Sequence, residues 1–125
     1  MLADKSVMAT IPVKNLAAAR KFYEDTLKFK KLDEEGGEAV TYQSGDSENV
    51  VYRSEFAGSN KATAATWVVG DEIEDIVKEL KTKGVPFEHY NMPGMKQQGD
   101  LHVADGMKAA WFKDPDGNIL ALTSN

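Results

Sequence analysis

The chain has 125 residues, of which 42% are hydrophobic and 28% are charged, as is typical of one soluble globular domain. The net charge of −5 argues against nucleic acid and acidic membranes as partners, because phosphate groups are bound by clustered Lys and Arg. The absence of Cys excludes disulfides, thiolate zinc sites and a Cys nucleophile. No apolar run reaches roughly 18 residues and no signal peptide is evident, so we expect no membrane span and a cytoplasmic location.

The first half of the chain is predicted to contain one strand, one helix and three further strands. Residues 7–13 alternate apolar side chains at period two, which indicates a strand. Asn15 is a suitable N-cap for a helix. The apolar positions of that helix recur at helical spacing: Leu16, Ala19, Tyr23 and Leu27. Glycine-containing turns then separate three short strands, predicted near 29–34, 39–44 and 49–54.

The second half repeats this order from Thr63. A strand alternates through Ala65 and Trp67, and Asp71 is a candidate N-cap for a second helix. The apolar positions of the second helix are Ile73, Ile76, Val77 and Leu80. Gly84 is a suitable residue to end it. Strands are predicted near 85–90, 101–104, 107–113 and 119–123, and the pattern is also consistent with one bent strand over 101–113.

The order β-α-β-β-β therefore occurs twice, with an offset of about 57 residues. We expect an α+β fold in a single domain, with module one at about 5–55, a linker at about 56–62 and module two at about 63–125. Two such modules side by side would form a curved mixed sheet with a cup-shaped cavity, a favoured place for ligands. The alternative is a plain α+β sandwich in which dimer contacts fill the open sheet faces.

The stretch at 111–122 contains the densest turn signal, Asp-Pro-Asp-Gly-Asn at 114–118, between two apolar runs. Pro presets φ for an early turn position, Gly supplies a positive φ, and Asp and Asn bond the local backbone. The pattern predicts a hairpin that joins the last two strands.

Three motifs resemble the vicinal oxygen chelate superfamily, which comprises glyoxalases, bleomycin-resistance proteins and dioxygenases. They are the opening strand with its Phe-Tyr helix (11–16 and 22–27), the start of the second module (69–71 and 80–85) and the closing hairpin (111–122). The stretches at 52–58 and 90–94 resemble a small bacterial branch of that superfamily. One departure is Lys28, where members often have Gly after the helix.

The resemblance also bears on the metal that this superfamily commonly uses. In its metal enzymes, His, Gln and Glu side chains hold a divalent ion. The corresponding positions in this chain are Met8, Ala64 or Ala65, a position near Tyr52, and Ala121. None is a usual ligand for zinc, nickel, manganese or iron, so we expect no metal cofactor. A divalent metal held by non-standard ligands is the alternative.

The two His residues lie outside the ligand positions that the resemblance gives. His89 follows Glu88, and His102 lies two residues after Asp100. A His beside a carboxylate is more often a hydrogen-bonded surface residue than a ligand, so a metal site formed with either acid is the less favoured interpretation. His102 is the better candidate for a ligand contact or a general base, because its strand is expected to line the second-module cavity. The alternative for His102 is a solvent-facing strand residue.

Strand parity predicts which residues line the cup. If Met8 faces inward, Thr10 does too, whereas Ile11 and Val13 face the helix. The candidate ligand-binding residues share an apolar or neutral polar character: Met8, Thr10, Tyr52, Thr66, Ala121 and His102. Such a lining suits a flat or aromatic small molecule better than a phosphate or a metal chelate. On this interpretation, replacing Ala121 by Trp would fill the cavity without unfolding the protein. Trp67, in contrast, is expected to pack in the core.

Two functions of different classes remain open. The first is metal-independent binding of a small, partly apolar or aromatic molecule, as in the drug-sequestering members of the superfamily. The second is a metal-dependent lyase, isomerase or dioxygenase of the same superfamily. The Met-Pro-Gly-Met loop at 92–95 is interpreted either as a lid over the cavity or as an ordinary connection. We expect a homodimer, and the sequence leaves open whether the cup forms within one chain or between two.

Overall fold

The protein is described from a computed structural model that covers all 125 residues. After a short 3-10 turn (Leu2–Asp4), the first half contains β1 (Ala9–Val13), α1 (Leu16–Arg20) with its π-helical continuation (Lys21–Thr26), β2 (Lys30–Glu35), β3 (Ala39–Ser44) and β4 (Ser47–Arg53). The second half contains β5 (Thr63–Val68), a 3-10 turn (Gly70–Glu72), α2 (Ile73–Thr82), β6 (Phe87–Glu88), β7 (Lys96–Gln98), β8 (Leu101–Ala104), β9 (Met107–Lys113) and β10 (Ile119–Thr123). Neither helix is long and apolar enough to cross a membrane.

The two sheets share one strand order, which confirms the predicted repeat. The first sheet has the order β1-β4-β3-β2, with β1 parallel to β4 and the other pairs antiparallel. In the second sheet β5 is parallel to β10, and β10 is antiparallel to β9. The outer edge of β9 pairs with both β6 and β8. Strand β6 therefore corresponds to β2, and the β7–β8 hairpin is an addition to an α+β fold of two βαβββ modules.

Several element boundaries differ from the sequence predictions. The first strand begins at Ala9 rather than at residue 7. The region 101–113 is two antiparallel strands rather than one bent strand, because Asp105 and Gly106 both adopt a positive φ and turn the chain back. Asn15 caps α1 as predicted, with its Oδ1 accepting a hydrogen bond from the N–H of Ala18 at 3.0 Å.

The start of the second helix corrects a second prediction. Asp71 does not cap α2, because it lies inside a 3-10 turn that precedes the helix. In that turn the N–H of Glu72 donates to the carbonyl of Val69 at 3.3 Å. Glu72 is the N-cap, and its side chain makes no capping bond. A backbone hydrogen bond has thus taken the place of the side-chain cap.

One apolar core joins the two modules. It is formed on the sheet faces that carry the helices, and we call these faces the helix sides. Its strand residues come from both sheets: Ile11, Val13, Val40, Tyr42, Val51, Ala110, Phe112, Leu120 and Leu122. Trp67 packs against this core, as predicted, and its Nε1 donates to Oγ of Ser44 at 2.9 Å. Its ring centroid lies 5.7 Å from that of Phe29. The modules therefore meet helix side to helix side, and the opposite faces of the sheets, the open faces, point away from the core.

A buried carboxylate in the closing turn connects the modules by hydrogen bonds. Asp114 is only 4% exposed and accepts the hydroxyl hydrogen of Tyr23 at 2.8 Å. It also accepts hydrogen bonds from the N–H groups of Asp116 and Asn118 and from the side-chain amide of Asn118. That amide donates in addition to the carbonyl of Pro12 in β1 at 2.7 Å. Burial raises the pKa of Tyr23, so its hydroxyl stays protonated and acts as the donor.

The connection that follows β4 packs directly on the same turn at Gly58. A Cβ atom at this position would lie 2.0 Å from the carbonyl oxygen of Asp116, and the φ of Gly58 is +73°. Only Gly tolerates both the close approach and this backbone conformation. The Asp-Pro-Asp-Gly-Asn turn is therefore contacted by strand β1, the first helix and the inter-module connection.

Replacing Tyr23 by Phe should destabilise the protein by about 1–3 kcal/mol, because the buried Asp114 carboxylate loses one of its hydrogen-bond donors. The matched control is Tyr52→Phe, because Tyr52 is a half-buried residue whose hydroxyl makes no hydrogen bond within the protein. Chemical denaturation of both variants measures the difference. Equal stability losses in the two variants would contradict a structural role for the Tyr23–Asp114 bond.

Candidate functional site

A cavity of about 390 Å³ opens on the open face of the second sheet, and we call it the open-face cavity. The register of the strands determines which residues form the base, or floor, of this cavity. Ala121 pairs with Trp111 on β9 and with Thr66 on β5, so these three side chains form one row across neighbouring strands. Because Ala121 is the smallest of the three, the row is lowest at its centre and the larger neighbours form walls.

Three Met residues form another part of the wall. Met92 and Met95 come from the loop that precedes β7, and Met107 begins β9. All three pack against the small apolar cluster that contains Trp111 and Ala121. Unbranched Met side chains adapt to ligands of different shape. The loop at 92–95 therefore contacts the cavity, as the lid interpretation requires. That this loop opens and closes over the cavity stays a prediction.

The polar side chains of the open-face cavity are all uncharged. Nε1 of Trp111 donates to Oγ1 of Thr63 at 3.2 Å, and Oγ1 of Thr123 donates to the sulfur of Met107 at 3.7 Å. Thr66 and Asn125 add one hydroxyl and one amide. No Asp, Glu, Lys, Arg or His side chain lines the cavity. Its surface can therefore bury apolar area and accept or donate a few neutral hydrogen bonds.

The structure brings together only part of the predicted ligand-binding set. Thr66 and Ala121 line the open-face cavity. Met8, Thr10 and Tyr52 do not, because they belong to the first module. The parity prediction is confirmed for β1, since Ile11 and Val13 are in the core and Thr10 is exposed on the other face. Within one chain, the candidate residues of the first module do not reach the cavity of the second.

His102 lies behind the cavity wall rather than in the cavity. The side chain is fully buried, so the solvent-facing alternative is wrong. Its Nε2 accepts the backbone N–H of Tyr90 at 2.9 Å, so the neutral ring carries its hydrogen on Nδ1. The ring packs edge-on against Trp111 with centroids 4.8 Å apart. His102 therefore supports the Trp wall, and its Nδ1 and the hydroxyl of Tyr90 are buried without hydrogen-bond partners.

His89 lies in a surface cluster with Lys81 and Asp100, which agrees with the favoured interpretation from the sequence. Its Nε2 lies 2.8 Å from Oδ1 of Asp100, and Nζ of Lys81 lies 2.6 Å from Oδ2 of the same carboxylate. The hydrogen bond from Lys81 and then that from His89 hold the pKa of Asp100 below its ordinary value. Glu88 is directed elsewhere, with a carboxylate oxygen 3.4 Å from Nζ of Lys113.

The residues present do not fit a divalent ion at the positions that the resemblance indicated. Ala64 and Ala121 offer no donor atom, and Met8 offers a thioether, which suits soft metals. Tyr52 lies on β4, in the other module from Ala121. No group of three or more His, Cys, Asp or Glu side chains is arranged to hold a metal. We therefore derive no chemistry from a bound ion.

Trp111 is the main cavity residue that sequence reasoning left unassigned. The closing hairpin indicates which face of the sheet the side chain of Trp111 occupies. Trp111 and Ala121 stand five residues before and after Asp116, so a symmetric hairpin pairs them and places both side chains on one face. Met107 could not be found in this way, because its position depends on where the turn before β9 begins.

Two βαβββ modules, each with one helix packed on one face of its sheet, define the class of fold to which the protein belongs. The chain belongs to the Glyoxalase/Bleomycin resistance protein/Dioxygenase superfamily, whose family model matches residues 5–122. This confirms the family that the sequence motifs indicated. No protein of curated function matches the sequence.

Several solved structures share the fold. A glyoxalase family protein from Enterococcus faecalis is 21% identical, with a TM-score of 0.74 over 98% of this chain and 99% of that one. A lactoylglutathione lyase from Agrobacterium tumefaciens is 15% identical, with a TM-score of 0.72 over 95% and 92%. A mutant of the fosfomycin resistance protein FosX from Listeria monocytogenes, in complex with Mn(II) and 1S,2S-dihydroxypropylphosphonic acid, is 14% identical, with a TM-score of 0.71 over 98% and 90%. At these identities the likeness shows the fold alone.

The burial of Ala121 reverses one expectation from the sequence. Its side chain is 4% exposed, so Ala121→Trp should overpack the row beside Trp111 and destabilise the protein by about 1–3 kcal/mol. Thr66→Trp, at an exposed position of the same row, should change stability by less than about 0.5 kcal/mol. Thermal unfolding of the two variants tests this contrast, and an unaffected Ala121→Trp protein would show that the floor is more open than described.

Proposed function

We propose that the protein binds a small, neutral, partly apolar or aromatic molecule without a metal. The observation that carries this proposal is the uncharged row of Trp111, Ala121 and Thr66 at the base of the open-face cavity. An aromatic ligand would stack against the indole and displace water from the Met side chains, and burial of apolar area would supply most of its affinity. Binding of this kind needs neither an ion nor a catalytic acid or base.

The ligand site is proposed to be completed by a second copy of the chain. The open-face cavity has no first-module residue in its lining, and the open face of the first module bears Met8, Thr10 and Tyr52. Apolar side chains are exposed on or beside these faces, with Met8 45% and Val68 69% exposed. In a homodimer with exchanged modules, the first module of one copy would close the cavity of the other and bury this apolar surface.

The second candidate is a metal-dependent lyase, isomerase or dioxygenase of the same superfamily. The observation in its favour is the similarity in fold to the FosX protein that was solved with Mn(II). Against it stand the two Ala residues and the Met at the positions where such enzymes hold their ion. The alternative therefore requires ligands from elsewhere in the chain.

The proposal predicts tight ligand binding by metal-free protein. A library of neutral aromatic compounds should yield ligands that raise the melting temperature, because selective binding to the native state stabilises it. Thr66→Trp should weaken a confirmed ligand at least tenfold in titration calorimetry, whereas Leu32→Trp, on an edge strand of the other module, should not.

Metal analysis separates the two candidates. Protein purified without chelator should hold less than about 0.1 equivalent of zinc, nickel, manganese or iron, and added ions should leave ligand affinity unchanged. One ion per chain that is lost in His102→Ala would support the enzyme instead. A ligand that binds Thr66→Trp as tightly as the parent would contradict the proposed place of binding.

The proposed assembly predicts a particle of twice 13.7 kDa in sedimentation at tens of micromolar protein. Val68→Lys places a charge on the exposed open face of β5 and should shift the protein toward monomer. Leu2→Lys is the matched control, because Leu2 is 72% exposed but lies in the N-terminal 3-10 turn rather than on a sheet. A wild-type monomer would contradict the dimer and leave the open-face cavity incomplete.

A further inference from the structure

A second cavity, of about 490 Å³, lies between the modules on their helix sides, and we call it the inter-module cavity. It is separated from the open-face cavity by the second sheet, and Leu122 is the one lining residue common to both. Its apolar walls come from both modules: Leu27, Phe29, Trp67, Val69, Ile76 and Phe112. The volume lies within the range of small-molecule sites. The Phe29 and Trp67 rings, with centroids 5.7 Å apart, offer aromatic surface to a flat ligand.

The rim of the inter-module cavity is positively charged, unlike the chain as a whole. Lys28 and Lys30 line it, and neither forms an ion pair or a side-chain hydrogen bond within the protein. The one acid of the lining, Glu79, has its carboxylate 3.0 Å from Nζ of Lys83. Two lysines without an ion-pair partner therefore line a cavity with aromatic walls, in a protein whose net charge is −5. This combination favours an anion that carries an aromatic ring.

The backbone at Lys28 gives an independent reason to assign that side chain a role. Lys28 has a φ of 66°, in the left-handed region, where it ends the first helix. Gly84 ends the second helix in the same region, with a φ of 86°, and Gly is the residue that tolerates this conformation without strain. The N–H of Phe29 bonds the carbonyl of Tyr23 at 2.9 Å across this turn, so the conformation is fixed by the helix end. A Lys is thus held against backbone preference at a position that lines the cavity.

We infer that the inter-module cavity is a second binding site, specific for an aromatic carboxylate. The ring would lie against Phe29 and Trp67, and the carboxylate would meet the ammonium groups of Lys28 and Lys30. Ser44 adds a neutral donor, since its Oγ accepts from Trp67 and its own hydrogen is not used within the protein. This site differs from the proposed ligand site in the face of the sheet it occupies and in the charge it recognises.

The probe is 2-naphthoate, compared with uncharged 2-naphthamide, by titration calorimetry at low ionic strength. Naphthoate should bind the wild-type protein at least about fivefold more tightly than the amide, and added salt should reduce that preference. The double variant Lys28→Gln/Lys30→Gln should weaken naphthoate at least about fivefold and the amide less than twofold. A control double variant, Lys21→Gln/Lys61→Gln, removes two unpaired surface lysines that do not line the cavity and should change neither affinity beyond twofold.

Three further variants assign the probe to its cavity. Ile76→Trp fills the inter-module cavity and should abolish binding of naphthoate, whereas Thr66→Trp fills the open-face cavity and should leave naphthoate affinity within twofold. Lys28→Gly should raise the melting temperature by a few degrees, because it relieves the backbone, and should still weaken naphthoate. The inference is overturned if naphthoate fails to bind at millimolar concentration, if the Lys28/Lys30 variant binds it as tightly as the wild type, or if Thr66→Trp abolishes its binding.

Discussion

The buried carboxylate of Asp114 is the interaction on which the arrangement of the two modules depends. A buried carboxylate is strongly destabilising unless hydrogen-bond donors replace the water it has lost. The closing turn supplies donors from Asp116 and Asn118, and the first helix supplies the hydroxyl of Tyr23. The turn and the helix must therefore be in place together, and Asn118 extends the same constraint to the carbonyl of Pro12. A local turn motif near the end of the chain thus fixes how the modules meet.

That arrangement determines where ligands can be held. Because the apolar core joins the helix sides of both sheets, each sheet keeps one face free of the core. The open-face cavity is a consequence of this, since Trp111, Ala121 and Thr66 lie on a face that nothing in the same chain covers. The inter-module cavity arises instead on the helix sides, where the two modules meet. It remains where the module surfaces around Trp67 and Ile76 do not fit closely against Leu27 and Phe29.

The fold could be predicted from the sequence because its signals are local. Alternation in β1 predicted that Ile11 and Val13 face the helix, where the core lies, and the turn at 114–118 predicted the closing hairpin. The candidate site could be predicted only in part, because alternation shows which face of a strand is buried and not what covers the other. Thr66 and Ala121 were found by parity, but the separation of Tyr52 from them depends on how the modules pack. The burial of His102 depends on β8, which belongs to an added hairpin.

The positions of the two Trp residues give the protein one intrinsic fluorophore in the open-face cavity and one in the inter-module cavity. Trp67 lies on the helix side of the second sheet and is hydrogen-bonded across to the other module, whereas Trp111 lies on the open face within a single module. The emission of Trp67 is therefore sensitive to the fit between the modules, and that of Trp111 to the surroundings of one sheet. If the modules part before either sheet melts, the two signals will change at different denaturant concentrations, and the order of events in unfolding can be read from the unlabelled chain.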